Sequence, residues 1–189
     1  MRQLATERLW LSLGLGPGLL LPDSEEHATQ NRHFAQKSIF IAVMKKIARD
    51  LEATFTQFLN SDLLNKNWNY KAGPNKWSKK EIIGHLIDSA QINLQRFVRS
   101  TYTENFKVTY EQMEWVDAQH YVNADIQELL ELWRLLNKQI VRVLENYPTD
   151  RLQIKSDTGK TSVSFQTVEF LAQDYVNHLN HHLKAIDLE

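Results

Sequence analysis

Four stretches of this 189-residue chain carry apolar residues three and four apart, over lengths that suit helices and not strands. The first comprises Ile39, Val43, Ile47, Leu51, Phe55 and Phe58/Leu59, and runs out near Asn60. A second opens at Ser78, where Glu81 three residues on completes a capping box, and continues to about Thr101. The third opens with the cap-like pair Asp125 and Glu128. It carries Ile126, Leu129, Leu130, Trp133, Leu136, Ile140, Val143 and Leu144, and stops before Pro148. The last, from about Phe165 to Ile186, presents Val168, Leu171, Tyr175, Leu179 and Ile186, with Ser164 as the expected N-cap. Each stripe must be buried against another element, so the expected fold is all-α, a four-helix bundle.

The segments between are informative as well. Gly73-Pro74-Asn75 signals a turn before the second helix. Gly84 lies inside that helix, where glycine costs about 1 kcal/mol relative to alanine, and it suggests the close approach of a neighbouring helix. The connection from Tyr102 to Asn123 is too long to be an idle loop. Its aromatics (Tyr102, Phe106, Tyr110, Trp115, Tyr121) predict that it packs down as a lid or short helical turn. Two short β-rich runs flank Asp157-Thr158-Gly159-Lys160 and predict a small hairpin or an extended loop.

The functional signal is histidine. His178, His181 and His182 crowd into five residues of the last helix. His178 and His182, four apart, project the same way and lie close to the apolar stripe, as two ligands of one divalent metal would. A pairing of His178 with His181 is also compatible with helical geometry. Bundle sites draw ligands from facing helices, and His85, among Ile82, Leu86 and Ile92 of the second helix, is the best-placed third donor. Three imidazoles leave coordination positions open, as in catalytic sites. The plainer alternative is that these histidines only pack. His27, His33 and His120 are expected at the surface.

Composition removes other chemistries. With no cysteine, thiolate nucleophiles, disulfides and Cys-ligated zinc are excluded. Lys and Arg total 22 against 23 Asp and Glu, without a block of like charge, so nucleic acid and acidic membranes are not expected partners. The apolar run Leu9–Leu21 falls short of the ~20 residues that span a bilayer and is broken by Gly14, Gly16, Pro17 and Gly18. Arg2 and Arg8 ahead of it are compatible with a secretory signal, but Glu7 and the lack of a small-residue cleavage site oppose that reading. Residues 1–40 are therefore expected to be a peripheral or poorly ordered extension, with Met44 as an alternative start. Residues 41–189 form the bundle domain, and the expected location is cytoplasmic.

Two motifs carry a family resemblance. KWSKKEIIGHLIDSAQINLQRF, with Trp77-Ser78 at its head, His85-Leu86 and then Asp88, resembles the signature of the DinB/YfiT-like superfamily. DYVNHLNHHLKAI resembles the matching last-helix motif, with an extra histidine before the second ligand. The likeness spans about Ile41 to Glu189; the first forty residues have no counterpart in it. It implies an up-down-down-up four-helix bundle with a metal site at His85, His178 and His182. The implied metal is zinc or nickel, and the implied activities are thiol-dependent S-transfer, with a low-molecular-weight thiol as cosubstrate, and metal-dependent hydrolysis of a small molecule.

Asp88, one turn from His85, is then a candidate to orient a ligand or act as a base, and Asp174 is a weaker one. Arg96 is a candidate anchor for a substrate carboxylate, with a solvated arginine as the plainer reading. Tyr110, Trp115 and Tyr121 are candidates to roof the pocket. A homodimer is compatible with such a bundle, though no exposed apolar seam demands it. The alternative from another class is a non-catalytic ligand-binding or interaction bundle.

Overall fold

In the computed structural model, which describes residues 24–187 apart from residue 152, the four expected helices are present and three short strands join them. The elements are α1 (Ser24–Leu59), α2 (Lys79–Arg99), β1 (Phe106–Lys107), α3 (Gln112–Ala118), α4 (Ile126–Glu145), β2 (Lys155–Asp157), β3 (Phe165–Thr167) and α5 (Val168–Asp187). Single 3-10 turns occupy Tyr121–Asn123 and Thr149–Arg151. The apolar run Leu9–Leu21 and any signal within it lie outside the described residues. The chain divides into two units at Gln36/Lys37. In the first, the described side chains are exposed on a helix that begins at Ser24, ahead of the apolar periodicity. The stretch is rich in Ala, Glu and Gln, whose propensity needs no buried stripe.

The second unit holds the bundle, and its contacts fix the direction of each helix. The Lys80 ammonium donates to the carbonyls of Val122 and Ala124, which places the N-terminal ends of α2 and α4 together. At the other end Ser100 and Ser156 share a 2.7 Å hydroxyl hydrogen bond, and β1 pairs with β2 in parallel. Helices α2 and α4 are therefore parallel. Phe40 meets Tyr147 while Phe58, later in α1, meets Trp133, earlier in α4, so α1 is antiparallel to α4. Strand β3 pairs antiparallel with β2 and leads into α5, which returns along the bundle. The result is the up-down-down-up four-helix bundle.

The core is continuous. Met44, Leu51 and Phe55 of α1 pack with Ile83, Leu86 and Phe97 of α2, Trp133, Ile140 and Leu144 of α4, and Leu179 and Ile186 of α5. Burying such side chains is worth roughly 1.5–3 kcal/mol each before chain entropy is counted. At the start of α2 the capping box forms as expected: Ser78 Oγ accepts from the Glu81 amide at 3.2 Å, and the Glu81 carboxylate accepts from the Ser78 amide at 2.7 Å. Asp125 caps α4.

Two expectations change. Ser164 does not cap the last helix. Its amide donates to Asp157 Oδ1 and its carbonyl accepts from the Thr158 amide, so it closes the β2–β3 hairpin. The helix begins at Val168, where Thr167 Oγ1 accepts from the Phe170 amide. Ser164 was a plausible cap by residue type, but the hairpin's register claimed its backbone first.

Gly84 does admit a close neighbour, but the neighbour is the ring of Tyr121 and not a helix. A Cβ at Gly84 would stand 2.0 Å from Tyr121 Cδ2. Gly84→Ala should therefore destabilise the protein by about 1–3 kcal/mol, as overpacking does, against the ~1 kcal/mol gain that helix propensity alone would give. Urea unfolding checks the sign, and a stabilised variant would mean that Tyr121 is free to move aside.

Candidate metal centre

Helix α2 brings His85 to the bundle interior, and the antiparallel α5 brings His178 and His182 against it. Their spacing does the rest, since residues four apart on α5 stack on one face. His85 Nε2 and His178 Nε2 stand 3.1 Å apart. The rings lie at centroid distances of 5.1 Å (His85–His178), 4.8 Å (His85–His182) and 4.5 Å (His178–His182). One nitrogen from each falls within 4.8 Å of the others. His85 is fully buried, and the other two are half-buried.

These groups fit a metal on three counts. Imidazole nitrogens about 2.0–2.1 Å from one tetrahedral ion stand about 3.3 Å apart, close to the His85–His178 separation. The cluster is electrically prepared, because a ligating imidazole must be neutral. Burial, then the neighbouring His182 and His178, push the His85 pKa down to about 3. Burial, then His178 and His181, push His182 down to about 4. Burial also lowers His178, opposed by Asp174. Finally, two nitrogens facing each other at 3.1 Å share a single proton at best when neutral. That leaves lone pairs aimed at the common space. Among the described residues no carboxylate joins the three imidazoles, so a metal held there would keep open positions.

The surroundings hold the rings in place. The Trp77 ring lies 4.9 Å from His85 at a 32° tilt, which packs the imidazole from the helix entrance. Ser89 Oγ lies 3.4 Å from His178 Nδ1. Neither contact was assigned a role from sequence. Trp77 belongs to the family-like motif, and Ser89 follows His85 by four residues, the one available signal that they share a face.

Asp88 is buried, unlike an ordinary helix carboxylate. Its Oδ1 accepts from Tyr121 Oη at 2.6 Å and from Gln119 Nε2. Burial raises its pKa and those two donors oppose the rise. Its hydrogen bonds thus tie α2 to the α3–α4 connection, while His85 Nδ1 is buried without a partner. His181 is exposed beside His182, as expected of a flanking residue, and His27, His33 and His120 are exposed too.

His178 opens onto a cavity of about 180 Å³. Ser89 and Arg96 of α2, Tyr110 of the connection, Lys160 of the hairpin and Asp174 of α5 line it. Of the aromatic candidates, Tyr110 borders this cavity, Trp115 packs on Tyr110 at 5.3 Å, and Tyr121 belongs to the core.

The family model of the DinB superfamily matches residues 46–186, and the chain belongs to that superfamily. YfiT from Bacillus subtilis, described as a probable metal-dependent hydrolase with an unusual four-helix bundle topology, superposes with a TM-score of 0.61 at 21% identity. The match covers 81% of this chain and 85% of that one. No curated protein matches the chain.

The depressed imidazole pKa values set a pH dependence. Between about pH 6.5 and the folded value, the unfolded chain binds protons that folded His85 does not. Stability of metal-free protein should then fall as pH drops through that window, by up to about 1.4 kcal/mol per unit for this group. The raised Asp88 pKa acts with the opposite sign. The measurement is therefore the difference in unfolding free energy between wild type and His85→Gln from pH 7 to 4. Wild type should lose stability relative to the variant; parallel curves would contradict the shift.

Proposed function

We propose that this member of the DinB superfamily holds one divalent metal, zinc or nickel, on His85, His178 and His182. With it, the protein transforms a small molecule, either by hydrolysis or by transfer involving a low-molecular-weight thiol. The observation that carries the reading is the convergence of three imidazoles, with lowered basicity, beside the open cavity that His178 borders. A metal so held supplies Lewis acidity toward a water or thiol and toward a substrate oxygen. The description of YfiT supports the hydrolase branch, and the absence of cysteine means that any thiol comes from outside the chain.

The chain's own groups do the rest. The Trp77 ring covers His85, which is fully buried, so the cavity that His178 borders is the route of approach. Ser89 orients the His178 ring through Nδ1, which leaves Nε2 facing the centre. Asp88 acts as a positioning residue, holding Tyr121 and Gln119 and with them the connection that carries Tyr110 to the cavity. The reading assigns the chemistry to residues 41–189 and treats residues 1–40 as an extension.

Elemental analysis of untagged protein expressed with mixed trace metals tests this directly. Wild type should carry about one equivalent of zinc or nickel, and His178→Ala less than about a tenth of that, because three ligands are the minimum such a centre offers. Metal-free wild type that also takes up none on dialysis would overturn the proposal and favour a bundle that binds ligands without catalysis.

A further inference from the structure

Arg96 is placed where a surface arginine would not be. It lies on α2 seven residues beyond Ser89, about 10.5 Å along the axis, and its side chain is half-buried against the cavity that His178 borders. Its Nη1 donates to Asn93 Oδ1 at 3.2 Å and its Nη2 to the Val108 carbonyl at 3.0 Å. Both acceptors are neutral. Among the described residues no carboxylate lies within ion-pair distance of it, and Nε is buried with no partner. A guanidinium has five N–H donors, so most of its capacity is unspent.

An unpaired, half-desolvated cation is costly unless something completes it. The other charges on the cavity do not complete it. Lys160 is cationic and pairs with Glu111 at 3.1 Å, and Asp174, exposed on α5, acts on Arg96 only through space, beyond ion-pair distance. The two neutral hydrogen bonds instead hold the guanidinium plane in one orientation, as a preorganised anion receptor requires.

We propose that the cavity selects small molecules bearing a carboxylate, which Arg96 holds while the reacting group of the molecule reaches the imidazoles. The inference rests on the metal-centre reading for its reacting end only; the carboxylate end stands on Arg96. Asn93 and Val108 act as positioning groups for the guanidinium.

The probes are mercaptopropionate and mercaptopropanol, which differ at the carboxylate and share the thiol. Calorimetry on zinc-loaded protein should show about tenfold tighter binding of the acid, the gain expected of a charge-assisted hydrogen bond. Arg96→Gln should bring the ratio close to one, and Arg96→Lys should retain part of it. On metal-stripped wild type, the Arg96 Nε–H resonance should shift with the acid and not with the alcohol. Equal affinities, or a preference that survives Arg96→Gln, would overturn the proposal; if that variant does not fold, the resonance of wild type decides. Metal content of the same samples separates the two readings. No metal with a retained shift in stripped protein removes the metal centre alone, whereas one equivalent of metal with no carboxylate preference removes this inference alone.

Discussion

Two parallel helices cannot be joined by a short turn, and that constraint organises this protein. Because α2 and α4 run the same way, the chain between them must travel back along the bundle, and parallel connections of this kind need a dozen residues or more. The return path carries exposed backbone and must be pinned to the bundle to be ordered at all. Contacts along its length pin it, among them the Tyr121 ring on Gly84, the Tyr121 and Gln119 donors on Asp88, the Val108 carbonyl on Arg96 and the Lys80 ammonium on the Val122 and Ala124 carbonyls. The same crossover supplies Tyr110 and Gln112 to the cavity wall. The topology that makes the connection long thus also builds one side of the candidate site.

Desolvation is the second organising effect. Three imidazoles face one another beside the Trp77 ring; burial lowers the basicity of all three, His182 and His178 lower that of His85 further, and His178 that of His182. A cluster of neutral nitrogens with few protein partners is poor as packing, since buried polar groups ordinarily find hydrogen bonds. It is well suited to a cation that accepts their lone pairs. The buried Asn137, by contrast, accepts from Tyr175 Oη at 2.8 Å and donates to the Trp133 carbonyl, which is how this core treats a polar group with a structural task.

Much of this was legible in the residues. The capping box at Ser78 and the cap at Asp125 set two helix starts within local sequence, where the physics is also local. The His178/His182 pair was readable because helical periodicity alone puts both on one face. Ser164 shows the limit: two structures competed for one serine, and the hairpin's hydrogen bonds decided. Gly84 shows another. Its presence signalled close approach, but whether a helix or a tyrosine approached depended on the path of a distant segment.

Sequence alone, then, determined the helices, the stacking of His178 and His182 on one face of α5 and the absence of cysteine chemistry, because periodicity, composition and spacing are properties of the chain itself. Only the tertiary structure decided that His85 meets that pair at 3.1 Å, that Asp88 holds Tyr121, and that Arg96 borders the cavity unpaired. Each of these joins residues brought together by the direction in which helices pack. Apolar stripes require that helices pack, but the connections between them select which ends meet.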